Sequence, residues 1–288
     1  MASPASARRT VRVDDRAQWQ RRQDAALGIH APALITGSRE AERFLARVGI
    51  ALRYGATKDL PLASLYRSFA GPAPDRAHLA KGIALTNHLL GEGCGIEVHV
   101  IADRVTLVHR SLVPALYALV RRGRAAEDLE GLSLNARTAL QLVRALKQAS
   151  AGEVRERLGG KKFDPRNDPA YAALGELTRA LLVDRGPFEI PSAGIPYLST
   201  EGYPYHLFHE AHRDLALAAR QYSLEQAADE FLATYLSAAV FVRVRKLASL
   251  FRLFLSAAEI DASLSRLAAR GPVRVAGDGS TAYALSAS

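Results

Sequence analysis

A chain of 288 residues, 49% of them hydrophobic, can bury enough apolar surface for two or three small domains. Its 38 Lys and Arg against 29 Asp and Glu give a formal charge of +9, which favours a polyanion as partner, although a composition rich in Arg gives the same balance without one. The single cysteine excludes a disulfide framework and a thiolate metal cluster, the longest apolar run (231–242) is too short to span a bilayer, and no apolar stretch follows Arg8-Arg9 as in a secretory signal, so a cytoplasmic protein is expected.

Residues 1–13 are small and polar and are expected to be disordered. Asp14–Leu27 reads as a helix rich in Arg and Gln, with Trp19 as its apolar anchor. Ser38 is expected to cap a helix running to Ile50, with Phe44, Leu45 and Val48 on one face, and another helix spans Asp75–Leu90. Cys94 sits among glycines with no basic neighbour, which suits an idle thiol. Ile96, Val98 and Val100 alternate with polar residues, Asp103-Arg104 turns, and Val105 and Leu107 resume the alternation: a β-hairpin. Ser111 is expected to cap the following helix, which ends in Arg121, Arg122 and Arg124. From Arg104 to Arg124 there are five Arg and no acid, consistent either with cations at a helix C-terminus or with phosphate contacts. A boundary near Gly131 closes an N-terminal helical domain with a β-hairpin, residues 14–131.

The central part, 132–222, predicts three helices and a hairpin. Ser133 caps the first helix, Ala151–Leu158 forms the second and ends at Gly159-Gly160, and Pro169 opens the third. Two β-type runs, Leu182-Val183 and Phe188-Glu189-Ile190, and a return near Ile195 to Leu198 follow. That order is the order of a winged helix, a helix-turn-helix variant. In such docking, Arg155, Arg157, Lys161, Lys162, Arg166 and Arg179 would face the DNA backbone, while Asn167, Asp168 and Tyr171 would face base edges. This is a poor base-reading surface, so backbone recognition is expected.

Residues 197–214 interleave aromatics with histidines. Helical from Pro204, they would bring His206, His209 and His212 to one side, with Tyr203 and Tyr205 nearby. A metal site, a base-stacking pocket and an interdomain packing hinge are the three readings, and packing is preferred because no HExxH and no second ligand cluster occur. From 223 to 288 the order recurs: a helix capped by Ser223, a helix from Ala239 to Phe251 exposing Arg243, Arg245 and Lys246, a helix capped by Ser256, then a hairpin about Gly277-Asp278-Gly279. The expected fold class is mainly α with short β-hairpins (α+β), arranged as tandem winged-helix modules.

Several stretches, ERFLARVGI and LPLASLYRSFAG in the first domain, NARTALQLVRALKQASAGEVRERLG in the second and SAAEIDASLSRLAARGPVRVAGDGSTAYAL in the third, resemble the AlkZ-related family of tandem winged-helix proteins. That family includes DNA glycosylases acting on alkylated and crosslinked bases, whose Gln-x-Gln or Gln-x-Asp motif positions a water at the sugar–base bond. What matches it here is Gln18-Trp19-Gln20, in the N-terminal helix, so the resemblance implies Gln18 and Gln20 as candidate catalytic residues. Three functions follow: a DNA-binding protein contacting duplex or damaged DNA through its backbone, a DNA glycosylase of the same architecture, and a protein-interaction module. No phosphate-cradling glycine loop or Ser-His-Asp arrangement is present, and neither metal nor cofactor is expected.

Overall fold

Three times along the chain an amphipathic helix gives way to a very short strand, then to two more helices and two strands. The computed structural model describes residues 13–27, 35–55, 60–71, 76–102, 104–125, 128–160, 167–187, 203–277 and 282–287. After α1 (Val13–Leu27), helix α2 (Ser38–Val48) buries Ala41, Phe44, Leu45 and Val48. Gly49, at φ +68°, turns the chain out of α2 into β1 (Ile50–Leu52); a Cβ there would meet Thr234 Cγ2 at 2.5 Å. Next come β2 (Ala63–Ser64), α3 (Leu65–Ala70), α4 (Arg76–Gly91) and the hairpin β3 (Gly95–Ile101) with β4 (Arg104–His109), giving strand order β2-β1-β4-β3. Helix α5 (Val113–Arg121) leaves this sheet through a 3-10 turn at 110–112.

The second repeat is α6 (Leu134–Leu146), β5 (Gln148–Ser150), α7 (Ala151–Arg157), α8 (Pro169–Arg179), β6 (Val183–Arg185) and β7 (Pro204–Leu207). Short helices α9 (Phe208–Ala211) and α10 (Arg213–Ala219) lead to the third: α11 (Leu224–Ala239), β8 (Phe241–Arg243), α12 (Val244–Phe251), α13 (Ala257–Arg270), β9 (Val273–Ala276) and β10 (Tyr283–Ser286). In each repeat the last strand lies in the middle, flanked by the short first strand and by its hairpin partner: β1-β4-β3, β5-β7-β6 and β8-β10-β9.

Serines fix where many of these helices begin. Ser133 Oγ accepts from Ala136 N, and Ser150, Ser223 and Ser256 form capping boxes with Glu153, Gln226 and Glu259. Burial then joins the repeats unequally. The largest apolar core runs from the first sheet and α5 into α11, α12 and α13, whereas the central repeat closes a core of its own around Leu140, Val143, Val154, Leu174 and Leu177. Helix α1 is held separately: Trp19 packs on Phe241 and Tyr283, and Gln23 Nε2 donates to the carbonyls of Ala239 and Phe241.

Several expectations need correction. Ser38 lies inside α2, which Gly37 caps, and Ser111 lies in the 3-10 turn before α5. The expected helix from Ala239 is interrupted by β8, and Pro204–Leu207 is a strand instead of a helix start, because both segments pair into sheets. For Tyr171, 60% exposed on α8, no correction arises, and the buried face of that helix holds Leu174 and Leu177. Residues 1–12, Lys161, Lys162, Arg166, and the runs at 188–190 and 195–198 lie outside the described residues.

Candidate nucleic-acid interface

Helix α10 and its C-cap residue Arg220 place Arg213, Leu217 and Arg220 at helical spacing, where they line a groove with the C-terminal end of α5. Together they line an open groove of about 850 Å³ that also holds Arg121, Arg122, Arg124 and His209, and among the described residues that line it none is acidic. The three arginines at the end of α5 and just beyond it are structurally engaged, which supports the helix-end reading that the sequence left open beside phosphate contact. Arg121 is buried, donates to the carbonyls of Ala180 and Ala125, and has its guanidinium pulled down by burial. Arg124 bonds back to the carbonyls of Val120 and Arg121, as a cation at a helix C-terminus should. Arg122 forms a two-pronged pair with Glu259 at 2.8 and 3.0 Å. Carbonyls neutralise nothing, so Arg121 and Arg124 still add their charge to that of Arg213 and Arg220. The sequence reading missed Arg213 and Arg220; their signal was the pairing of two Arg seven positions apart on a short helix.

The other candidates separate. Arg155 is buried and its guanidinium grips Asp168 Oδ2 at 2.8 and 3.0 Å, while Asp168 Oδ1 caps α8 at Ala170 N. Neither can meet DNA as read from sequence, since each satisfies the other's charge. Arg157 and Arg179 are exposed on α7 and α8. Arg243 Nε donates to Tyr283 Oη and its guanidinium lies over that ring, whereas Arg245 lines a different groove, of about 890 Å³, between α12, α13 and β9; Lys246 is half-buried. Gln18 and Gln20 are exposed on α1, about 200° apart around the helix, and Gln20 Nε2 donates to Gln23 Oε1 and Asp24 Oδ1.

The histidines do not share one side. His206 lies on β7 across from Asp184 of β6, and His212 Nε2 reaches Asp184 Oδ2 at 2.6 Å, while His209 faces the arginine groove. Burial raises the Asp184 carboxyl against the pull of His212, and burial lowers His206. Among the described residues no group of three His, Cys, Asp or Glu has a metal-holding arrangement. Cys94 is half-buried and its thiol is pushed up by burial, away from nucleophilic use.

A charged cluster that sequence did not suggest joins the first repeat to the central one. Glu97 of β3 accepts from Arg53 Nη1 at 2.7 Å and is paired with Arg185 of β6, while Arg53 Nη2 donates to Tyr203 Oη at 2.7 Å. Burial would raise the Glu97 carboxyl, but Arg185 and Arg53 overcome it and hold the group well below the usual carboxylate range. Beside this cluster α8 packs on β3 and encloses a cavity of about 120 Å³, lined among others by Glu97, His99, Tyr171, Gly175, Arg185 and Tyr205.

No protein-family model and no curated protein matches the chain. A solved structure of the Streptomyces sahachiroi DNA glycosylase AlkZ superposes with a TM-score of 0.53 at 12% sequence identity, over 92% of this chain and 69% of that one. The likeness is one of architecture: this chain has an AlkZ-like α+β fold.

Proposed function

We propose that the chain binds DNA through its phosphate backbone, with the groove between α5 and α10 as the contact surface and each of the three repeats a winged helix. The groove carries the proposal: arginines from two elements meet there with no acid among the described residues of the lining, so the field favours phosphate. The AlkZ neighbour is itself a DNA glycosylase, which supports a DNA ligand for this fold. The strand order shared by the three repeats supports the winged-helix assignment.

Anisotropy of a fluorescein-labelled duplex across a salt series tests this. The logarithm of the binding constant should fall linearly with the logarithm of salt, and Arg213→Ala/Arg220→Ala should make the slope shallower by about 2, at about 0.9 per phosphate. Absence of binding at low salt would remove the proposal. Base excision is the second reading, favoured by the activity of the AlkZ neighbour. Release of an alkylated base that is lost in Gln18→Ala/Gln20→Ala would place it at those amides; no release by the unaltered protein would remove it.

A further inference from the structure

The arginine groove has an apolar lining as well as a charge. Among the described residues seven large hydrophobic side chains are exposed, and two of them, Leu217 at 48% and Leu224 at 40%, stand in this one groove. A phosphate gives an exposed leucine nothing, because its oxygens lose hydration there without meeting a donor. Tyr117 and Tyr222 belong to the same lining. The Tyr117 ring stacks on Phe208 at 4.9 Å and the Tyr222 hydroxyl donates to Glu230 at 2.6 Å, so both are held by residues outside the groove.

The order of the side chains decides what fits. Arg213, Leu217 and Arg220 follow at spacings of four and three residues along α10 and its C-cap, within about 60° of one another around an ideal helix. Cation, apolar side chain, cation along one line is the order in which an unpaired strand offers phosphate, base, phosphate. A duplex has nothing for the leucine in that line, since its base faces are stacked on one another. An acidic amphipathic helix of a partner protein keeps charged and apolar groups on opposite faces, whereas here they alternate along one wall. Arg213 and Arg220 are exposed, and their side chains have no partner among the described residues, so their charge is open to a ligand. Arg124, at the end of α5, is exposed as well, and its bonds go to carbonyls that leave its charge in place.

We infer that the groove is built for unpaired DNA, with bases against Leu217, Leu224 and Tyr222 and phosphates at Arg213, Arg220 and Arg124. The inference rests on the DNA-binding reading and narrows it: the preferred ligand is a single-stranded or gapped stretch, and a duplex is held through its phosphates alone.

Anisotropy at one salt concentration compares fluorescein-labelled oligothymidine with an abasic strand and a duplex of the same length. The duplex carries twice the phosphates, so charge alone would rank it first. The oligothymidine should instead bind about ten-fold more tightly than either, as contacts to unpaired bases give. Leu217→Ala/Leu224→Ala should remove that preference and change duplex binding by less than about two-fold, since every phosphate contact remains. Both leucines are exposed and alanine is the better helix former, so circular dichroism and thermal midpoint should show the variant folded. An abasic strand or a duplex that binds as tightly as oligothymidine overturns the inference and leaves the DNA reading standing, and so does a preference that survives in the variant. No binding of any of the three at low salt removes both. Tighter binding of an acidic amphipathic peptide, or self-association in sedimentation, that the same variant abolishes gives the groove to a protein and overturns the inference as well.

Discussion

Arg155 and Asp168 meet with their side chains 6% and 1% exposed, so each is the solvation shell of the other. Arg155→Ala leaves a buried, unmatched carboxylate and should cost about 3–5 kcal/mol in urea denaturation, with a stability loss under about 1 kcal/mol counting against the pair. Arg122 and Glu259 show the milder case, since both are about a third exposed. The hydrogen bond from Arg122 lowers the Glu259 carboxyl to about 2 from its ordinary 4.5. A lowered folded value means stability that is fully present above about 4.5 and drains away as pH falls towards about 2. Solvent screening keeps the gain to about 1 kcal/mol or less. The stability difference between the unaltered protein and Glu259→Gln should therefore shrink across that acid window; a pH-independent difference would show that the bond is not felt. Sequence supplied the charges of Arg121, Arg122 and Arg155 but not their burial or partners, which come from residues up to 137 positions away.

Element boundaries were most legible where a side chain enforces them. Ser133, Ser223 and Ser256 cap the helices they were expected to cap, and the alternation of Ile96 to Leu107 is a hairpin. The same element escaped in each repeat: β1, β5 and β8 are three residues long, too short for alternation to register, and are strands only because the last strand of the repeat pairs with them. With β1 unseen, the first repeat read as an unrelated helical domain. Helix α1 shows tertiary anchoring: its indole sits against the third sheet, and Trp19→Ala should cost about 3 kcal/mol and expose α1 to limited proteolysis. Unchanged resistance of α1 would mean that Gln23, through its two carbonyl contacts, suffices to hold it.

Across the molecule, the first and third repeats share an apolar core, whereas the central one closes its own and meets the first through Glu97, Arg53, Arg185 and Tyr203. Removing one charge from that junction leaves others buried and unmatched. Glu97→Ala should thus loosen the central repeat while the shared core persists, seen as hydrogen exchange rising in α6 and α8 but not in α5 and α11. A uniform rise would mean that the three repeats open as one unit.

The position of Trp19 has a spectroscopic consequence. It is the chain's one tryptophan, and it reports on the seam between the amino-terminal helix and the carboxy-terminal sheet. Its emission should be blue-shifted in the native protein and should red-shift when that seam opens, with no sensitivity to the central repeat. Unfolding followed by tryptophan light and by far-ultraviolet dichroism will then trace different curves whenever the central repeat melts alone, and the gap between them measures how independently it folds.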